Sequence, residues 1–309
     1  MTNAVIDMGS NTVRLCVFEY NGGEIETLFT QKEAVGLAGY VRNGFMEHEG
    51  VRQVCEVLRG FRDLALKFVP MNDIRVFATA SLRNVNNKSD AISIIYAETG
   101  LSPEELSGDE EAYLDFIGVT HGTKLSDGFL IDIGGASTEL VSFSKGAPTE
   151  KISLAVGCLG LYTKFMHGPL VAKSEKGKMR YEIRDLFNAF DWNNTSVKTL
   201  IGVGGTARAA LKMSQALFGA SQNGFPAEHV KAIRRMLEKS KPGVYQTLYK
   251  NAPERVLTLY PGLLILEEAV KRLGCEELHI SKYGVREGFF IERVLRLNAD
   301  NRQAPAAEE

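Results

Sequence analysis

The sequence predicts an α/β protein of two lobes, on three observations. The chain has 309 residues, more than one hydrophobic core usually spans. Strand-like apolar runs alternate with helix-periodic segments along its length. One Gly-rich hairpin pattern occurs twice, as AVIDMGSNTVRLCVF at 4–18 and LIDIGGASTELVSF at 130–143. We therefore expect a first lobe at 1–122, a second at 123–300 and a disordered tail at 301–309.

The first lobe is expected to continue from its hairpin as alternating helices and strands. In order, the expected elements are a helix over 51–68, a buried strand at 74–81, a helix over 89–98 that stops at Gly100, and a helix over 109–118. Ser107 and Glu110 have the spacing of a capping box at the start of this last helix.

The second lobe repeats the hairpin after a polar, loop-like segment near 120–126. The elements expected after the hairpin are a strand with a glycine turn at 199–211, a helix over 261–274, a strand at 278–284 and a helix from Arg286 to about 297. The sequence leaves open whether this final helix packs back on the first lobe. The lysine-rich segment VAKSEKGKMR at 171–180 is interpreted as loop-like.

Composition excludes several classes of protein. A net charge of −2 gives no support for a nucleic-acid footprint or a membrane surface, and no apolar run approaches the roughly 20 residues of a membrane span. The four cysteines are scattered and the five histidines dispersed, which favours reduced thiols and disfavours a zinc site. The first residues have the pattern of a strand rather than of a basic, cleavable leader, so we expect no such leader. We expect a soluble, cytoplasmic protein with no nucleic-acid or membrane partner.

Both hairpin turns combine an acid with a run of small residues. The small residues that permit positive φ or supply short donors are Gly9, Ser10 and Asn11 in the first turn and Gly134, Gly135, Ser137 and Thr138 in the second. Converging backbone N–H groups would form an anion site, and Asp7 and Asp132 would hold a cation that bridges to the anion. An ordinary Gly-rich turn is the alternative for either copy, but two copies favour phosphate.

Glu111 is the candidate for a general base. Glu110 reaches back to its cap, which leaves Glu111 to face a cleft, and the helix dipole favours its ionised form. The alternative is a routine acidic helix start. Arg83 follows a strand end, where functional side chains are common, although a solvated loop arginine is an equal alternative.

A third Gly-rich turn, GVGGTA at 202–207, follows a strand and precedes a helix. Its N–H groups could receive a phosphate or nucleotide, but a plain strand–helix turn is the more frequent explanation. The sequence has no Walker A lysine motif, no Gly-x-Ser-x-Gly elbow and no Cys–His nucleophile pattern.

An ordered set of motifs resembles the exopolyphosphatase/guanosine pentaphosphate phosphohydrolase family over essentially the whole chain. The motifs are DMGSN (7–11), SLRNVNN (81–87), SGDEEA (107–112), DIGGASTE (132–139), GVGGT (202–206), ER (254–255), PGLLIL (261–266) and YGVREG (283–288). The length is similar to that of short, two-domain members. The layout resembles the actin and sugar kinase superfamily, which implies two actin-like (ribonuclease H-like) lobes with an interdomain cleft.

The resemblance implies a role for each matching residue. Glu111 would activate water, and Arg83 and Arg255 would contact substrate phosphate. The phosphate cradle would comprise Gly9, Ser10, Asn11, Gly134, Gly135, Ser137 and Thr138, with Gly205 and Thr206 from the third turn. Asp132 and Glu139, with Asp7, would hold Mg²⁺. Ala136 stands where relatives usually have a third glycine, which implies reduced tolerance rather than lost activity.

The expected function is Mg²⁺-dependent hydrolysis of terminal phosphoanhydride bonds of inorganic polyphosphate. The alternatives are hydrolysis of pppGpp, a non-catalytic sensor of polyphosphate or (p)ppGpp, and a kinase of the same superfamily. A homodimer is left open. Long chains would need a basic track, with candidates Lys173, Lys176, Lys178, Arg180, Arg208, Lys282 and Arg286, although a solvated helix start explains the lysine-rich segment as well.

Overall fold

A computed structural model describes residues 1–123, 125–168, 170–188 and 197–296. Among these residues the strands are β1 (Thr2–Met8), β2 (Thr12–Asn21), β3 (Glu24–Ala34), β4 (Val41–Arg42), β5 (Phe45–Met46), β6 (Ile74–Ala78), β7 (Pro103–Glu105), β8 (Gly128–Ile133), β9 (Thr138–Ser144), β10 (Ala147–Leu154), β11 (Thr199–Val203), β12 (Gly224–Pro226) and β13 (Glu277–Ile280). The helices are α1 (His48–Ala65), α2 (Ala80–Arg83), α3 (Lys88–Thr99), α4 (Gly108–Gly122), α5 (Cys158–Phe165), α6 (Lys173–Phe187), α7 (Gly204–Phe218), α8 (Glu228–Glu238), α9 (Val244–Asn251), α10 (Leu259–Leu273) and α11 (Val285–Phe289), the last continuing as π-helical turns over Phe290–Leu295.

The chain divides into two compact units. Unit 1 comprises Met1–Gly118 and the segment from Val285 onward, and unit 2 comprises Val119–Gly284. The sequence had placed this boundary between 122 and 123, near the end of α4. The tail expected at 301–309 lies outside the described residues.

Unit 1 is built on a mixed sheet with the strand order β3-β2-β1-β6-β7 in the described part of the chain. The strands β1, β2 and β3 form antiparallel pairs, whereas β6 and β7 run parallel to β1. Both faces of β1 are buried: Ala4, Ile6 and Met8 pack in one apolar cluster and Val5 in another, as the alternation of side chains along a strand requires.

The C-terminal helix covers one face of the first sheet. The ring of Phe289 lies 4.7 Å from that of Phe77, and the ring of Phe290 lies 5.0 Å from that of Phe18, measured between centroids. These four buried aromatic side chains settle the alternative that the sequence left open, because they join the last helix to unit 1.

Unit 2 has the strand order β10-β9-β8-β11-β13-β12 over the described ranges. In this sheet order, the first five strands repeat the arrangement of unit 1. They form a hairpin, with a third antiparallel strand on one side and two parallel strands on the other. The antiparallel β12 extends the far edge. The prediction of an α/β protein with two actin-like (ribonuclease H-like) lobes is confirmed, while the cleft between them stays a prediction.

The segment at 171–180 is helical from Lys173, so the alternative of a helix start is confirmed and the loop-like interpretation is wrong. Helix α6 begins at Lys173, and the Glu175 carboxylate accepts a hydrogen bond of 2.7 Å from the N–H of Ala172. Met179, Ile183 and Phe187 are buried at four-residue spacing, which gives the helix its apolar stripe. This apolar stripe is hard to recognise in the sequence, because lysines dominate the first two turns of α6.

Other boundaries follow sequence patterns closely. Helices α3 and α10 end at Gly100 and Gly274, whose φ values of +70° and +61° are the left-handed C-cap conformation. All four cysteines are unpaired and buried. Within the described ranges, no helix has the length and hydrophobicity needed to cross a membrane.

Candidate active site

In unit 1 the carboxyl ends of three parallel strands bring three loops together. In the ladder Met8 pairs with Ala78, which also pairs with Glu105. The hydroxyl of Ser81 donates a hydrogen bond of 2.5 Å to the carbonyl of Met8. The first hairpin turn, α2 and the start of α4 are therefore neighbours, at the edge where open α/β sheets bind ligands.

The first hairpin turn is closed by its own backbone. The N–H of Gly9 donates to the Thr12 carbonyl at 3.1 Å, and the Ser10 carbonyl accepts from the N–H of Ala38 at 2.9 Å. In a trans peptide the N–H points opposite to the carbonyl, so the N–H of Asn11 points away from Ala38. This orientation leaves the N–H of Asn11 available to an anion on the outer side of the turn.

Arg83 and Glu111 form an ion pair beside this turn. Nη1 of Arg83 lies 3.0 Å from Oε2 of Glu111 and 3.2 Å from the carbonyl oxygen of Leu106. The two side chains are 16% and 12% exposed. The arginine thus fixes a largely buried carboxylate in the first turn of α4 through a charge-assisted hydrogen bond.

Glu110 has the capping role that the sequence predicted. Its Oε2 accepts hydrogen bonds of 2.9 Å from both the N–H and the hydroxyl of Ser107, and its Oε1 lies 2.8 Å from Nη2 of Arg293. The backbone hydrogen bond from Ser107 is the main reason that the pKa of Glu110 lies below its usual value. This carboxylate is committed to the helix cap, which distinguishes it from Glu111.

The second hairpin turn repeats the closure of the first. The N–H of Gly134 donates to the Ser137 carbonyl at 3.0 Å, as that of Gly9 does to Thr12. The carbonyl of Gly134 accepts a hydrogen bond of 3.0 Å from the N–H of Cys158. The carbonyl of Gly135 accepts one of 2.9 Å from the N–H of Leu159. The turn therefore lies on the N-terminus of α5.

This contact directs two N–H groups of the turn outward. Because the carbonyls of Gly134 and Gly135 point to α5, the N–H groups of Gly135 and Ala136 in the same peptide units point away from it. Gly157 makes the close approach possible, since a Cβ there would overlap the Gly135 carbonyl. Sequence reasoning missed Gly157, although the strand–glycine–helix pattern LAVGCLG at 154–160 resembles the turn at 199–211 and could have revealed it.

Gly9 and Gly134 serve close packing within the turns rather than positive φ, which corrects one expectation. Gly9, Gly134 and Gly135 do not adopt positive φ, and neither does Ala136. A Cβ on Gly9 would lie 3.0 Å from the Thr12 carbonyl oxygen. The methyl group of Ala136 is therefore compatible with the turn, as expected for a negative φ.

Several predicted phosphate-contacting side chains are turned inward. Thr138 is fully buried, and its hydroxyl donates to the Val156 carbonyl at 2.6 Å. Thr206 is 1% exposed and donates to the Ile133 carbonyl at 3.3 Å. Ser10 and Ser137 are buried too. The two threonine hydroxyls hold their loops in place, so contacts to an anion from these two positions would come from backbone N–H groups.

The third Gly-rich turn forms the N-terminus of α7, next to two charged side chains. A Cβ on Gly204, which has φ +78°, would overlap Oδ1 of Asp132, and one on Gly205 would overlap Nη2 of Arg255. Nη1 of Arg255 also lies 3.9 Å from Sγ of Cys158. Arg255 therefore connects the N-termini of α5 and α7, and unit 2 brings together the second and third turns, Asp132 and Arg255.

The acids of the two hairpins face different partners. Asp7 and Asp132 hold equivalent positions, but the residue opposite Asp7 in the ladder is Arg14, whereas the residue opposite Asp132 is Glu139. Glu139 is 1% exposed and accepts a hydrogen bond of 2.7 Å from Ser153. The second hairpin therefore pairs two carboxylates, which are the oxygen ligands that Mg²⁺ prefers, whereas the first pairs an acid with an arginine.

The predicted site residues divide between the units. Unit 1 carries Asp7, Gly9, Ser10, Asn11, Arg83 and Glu111, and unit 2 carries Asp132, Gly134, Gly135, Ser137, Thr138, Glu139, Gly205, Thr206 and Arg255. Over the described ranges, no group of three or more His, Cys, Asp or Glu side chains is placed to hold a metal.

Comparisons with known proteins agree with this architecture. The model of the Ppx/GppA phosphatase family matches residues 16–297. The structure of the Aquifex aeolicus Ppx/GppA family member aligns with 21% identity and a TM-score of 0.78 over 96% of this chain and 99% of its own. An exopolyphosphatase from Cytophaga hutchinsonii aligns with 22% identity and a TM-score of 0.83 over 95% and 97%. At these identities the structural likeness establishes a shared fold.

Proposed function

The chain belongs to the Ppx/GppA phosphatase family, and on that premise we propose that it hydrolyses the terminal phosphoanhydride bond of inorganic polyphosphate with the help of Mg²⁺. The observation that carries the proposal is the 3.0 Å ion pair between Arg83 and Glu111, at the edge of the first sheet where open α/β sheets bind ligands. The pair places a carboxylate that can accept a proton from water beside a guanidinium that can bind phosphate.

In this mechanism Glu111 accepts a proton from a water molecule. The water oxygen attacks the terminal phosphorus in line, the bond to the bridging oxygen breaks, and the shortened chain departs with the bonding electrons. The position of Glu111 in the first turn of α4 favours its ionised form, as a base requires. Arg83 holds the carboxylate at 3.0 Å, and its guanidinium is the type of group that binds phosphate oxygens through charge-assisted hydrogen bonds.

Backbone donors and one arginine would stabilise the negative charge of the phosphoryl oxygens. The outward N–H groups of Gly135 and Ala136 are a pair of fixed dipoles, and the N-terminus of α7 at Gly205 adds a partial positive charge. Arg255 lies directly at that N-terminus. Because these groups are already positioned, little reorganisation is needed when charge develops in the transition state.

Asp132 and Glu139 are the residues that would hold Mg²⁺. Their cross-strand pairing presents two oxygen ligands, and Mg²⁺ commonly binds one or two carboxylates together with substrate phosphates and water. When bound, the ion would neutralise phosphate charge near the reacting bond. Asp7 contributes less in this proposal, since Arg14 stands opposite it.

A phosphate-release assay tests the proposal. Purified protein is given short polyphosphate, long polyphosphate, pppGpp and ATP at equal concentrations of terminal phosphate, with and without Mg²⁺. We expect release from polyphosphate to be fastest and to require Mg²⁺. Faster release from pppGpp would move the substrate assignment to that nucleotide. Tight binding of polyphosphate without release would make the protein a sensor and refute the catalytic role of Glu111.

A further inference from the structure

A strongly basic cavity lies in unit 2 between helices α6, α8 and α10. Seven of the nine residues that line it are lysine or arginine, and the other two are Glu238 and Glu267. Seven positive against two negative side chains give the cavity a formal charge of +5, in a chain whose net charge is −2. Its volume is about 680 Å³. Such a local excess attracts anions.

The inner wall of this cavity is a fixed ionic network. Arg234 is 3% exposed, its Nε lies 2.7 Å from Oε2 of Glu267, and it also bonds Glu238. Arg180 contacts the same Glu267 oxygen at 3.1 Å, and Lys176 bonds Glu238. Three cations therefore share two carboxylates. Lys176 and Arg180 come from the segment that the sequence interpreted as a loop-like basic track, and helix α6 directs them here instead.

The outer wall consists of Lys231, Arg235, Lys239 and Lys271, all of them exposed. Within the described part of the chain, none of these four side chains forms an ion pair. Like charges around one concavity repel each other, and a bound polyvalent anion would remove that repulsion. The four cations can donate hydrogen bonds to several oxygens at once.

An adjoining recess of about 470 Å³ shares four residues with the basic cavity, namely Arg180, Lys231, Glu267 and Lys271. Its wall also contains Val230 and Leu264. The combined groove thus has a cationic end and a more apolar end, and both are built from the same three helices.

We infer that the basic cavity is a second anion site, which binds an oligophosphate group separately from the hairpin turns. Guanidinium and ammonium groups are the preferred side-chain partners of phosphate oxygens, and the surplus of five charges suits a ligand with several negative charges. The ligand could be a segment of an inorganic polyphosphate chain or the phosphates of a nucleoside polyphosphate, whose base would enter the apolar recess.

The position of the cavity along α10 separates it from the candidate active site. Near its start, α10 contacts the third Gly-rich turn, where a Cβ on Gly262 would lie 2.5 Å from Cγ2 of Thr206. Glu267 and Lys271 follow five and nine residues later, or roughly 7 and 14 Å along the helix. A ligand in the cavity would therefore be held by side chains that do not belong to the turns.

Binding of tripolyphosphate, measured by titration calorimetry in EDTA, tests this inference without turnover. The wild-type chain is compared with the triple variant Lys231→Ala, Arg235→Ala and Lys271→Ala. The matched control is Lys178→Ala, Lys212→Ala and Lys250→Ala, three exposed lysines of α6, α7 and α9 that lie outside the cavity and remove the same charge. Thermal unfolding of all three proteins verifies that they are folded.

We expect two binding events per chain for the wild type and the control, and one for the cavity variant. Loss of three charge-assisted contacts should weaken the cavity event by roughly tenfold or more. If the wild type shows a single binding event and the cavity variant keeps it, or if both variants bind equally weakly, the second site is overturned. If the wild type shows a single binding event and only the cavity variant loses it, the result supports the cavity and counts against phosphate binding at the hairpin turns.

The same titration with a nucleoside triphosphate distinguishes the two sources of the ligand. Equal affinity for tripolyphosphate and GTP at the cavity would indicate that the phosphates alone are recognised, as a polyphosphate segment requires. Tighter binding of GTP would indicate that the apolar recess receives the base. Binding of neither compound at the cavity would refute the inference.

Discussion

Nη1 of Arg83 bridges Oε2 of Glu111 and the carbonyl oxygen of Leu106, at 3.0 and 3.2 Å. One nitrogen thereby ties the carboxylate of α4 to the backbone that leads from β7 into that helix. The neighbouring Glu110 is bound just as firmly, but to Ser107 and Arg293. Two adjacent glutamates therefore have separate partners, and this separation makes their roles individually testable.

Glu111→Gln should lower phosphate release by about 10²–10⁴-fold, because an amide cannot accept the proton of water. Polyphosphate affinity should change little, since the amide keeps the size of the side chain and can still accept from Arg83. Turnover and binding are measured separately. Glu110→Gln is the matched control and should retain activity. Equal losses in the two variants, or near-normal turnover in Glu111→Gln, would remove Glu111 from the role of base.

Ser107→Ala should destabilise the folded protein by about 0.5–2 kcal/mol through loss of the helix cap. The folded-state pKa of Glu110 is depressed below its ordinary value of 4.5, mainly by the hydrogen bond from the N–H of Ser107. Its contribution to stability is therefore present above pH 4.5 and is lost as the pH falls through the lower folded-state pKa. Because Glu110 is 44% exposed, solvent screening keeps its own ionic share small.

Chemical denaturation at pH 7 and at pH 3 checks the sign of this effect. The stability difference between wild type and Glu110→Gln should be larger at pH 7 and should shrink at pH 3. A difference that grows on acidification would mean that the carboxyl group is stabilised in its protonated form, contrary to its hydrogen-bonding pattern.

The sequence predicted the features that depend on local patterns. The capping box at Ser107 and Glu110, the glycine C-caps at Gly100 and Gly274, and the repeated hairpin are all short-range signals, and each is present. The sequence left the start of α6 open between a loop and a helix, because a run of lysines at its start resembles a loop and its buried stripe becomes regular only from Met179.

Long-range packing decided what the sequence could not predict. The hydroxyls of Thr138 and Thr206 have the right type for phosphate contacts, but their orientation is fixed by carbonyls of Val156 and Ile133 in other segments. The need for Gly157 likewise arises only when α5 meets the second turn. No periodicity or motif in one sequence records the orientation of these two hydroxyls, whereas the strand–glycine–helix pattern at 154–160 does mark Gly157.

Asp132→Asn should shift the Mg²⁺ concentration required for half-maximal activity upward, because one of two facing carboxylates is lost as a cation ligand. Stability should change little, since removing one charge also relieves repulsion from Glu139. Asp7→Asn is the comparison variant and should shift the Mg²⁺ curve less, because Arg14 stands opposite Asp7. Unchanged Mg²⁺ dependence in Asp132→Asn would show that this carboxylate does not organise the metal.

Gly157→Ala should distort the second hairpin turn and lower activity without unfolding the protein. The added methyl group would overlap the carbonyl of Gly135, so the turn must shift away from the N-terminus of α5. The outward N–H groups of Gly135 and Ala136 would then lose their alignment. Because a displacement of about 1 Å can lower a catalytic rate by about 10²-fold, the rate of phosphate release should fall steeply.

Gly168→Ala is the control, because a Cβ there meets no atom within 4 Å. Steady-state kinetics on short polyphosphate, with thermal unfolding alongside, measures both variants. Unaltered kcat/KM in Gly157→Ala would mean that the turn tolerates the shift and that its N–H groups do not bind the reacting phosphate.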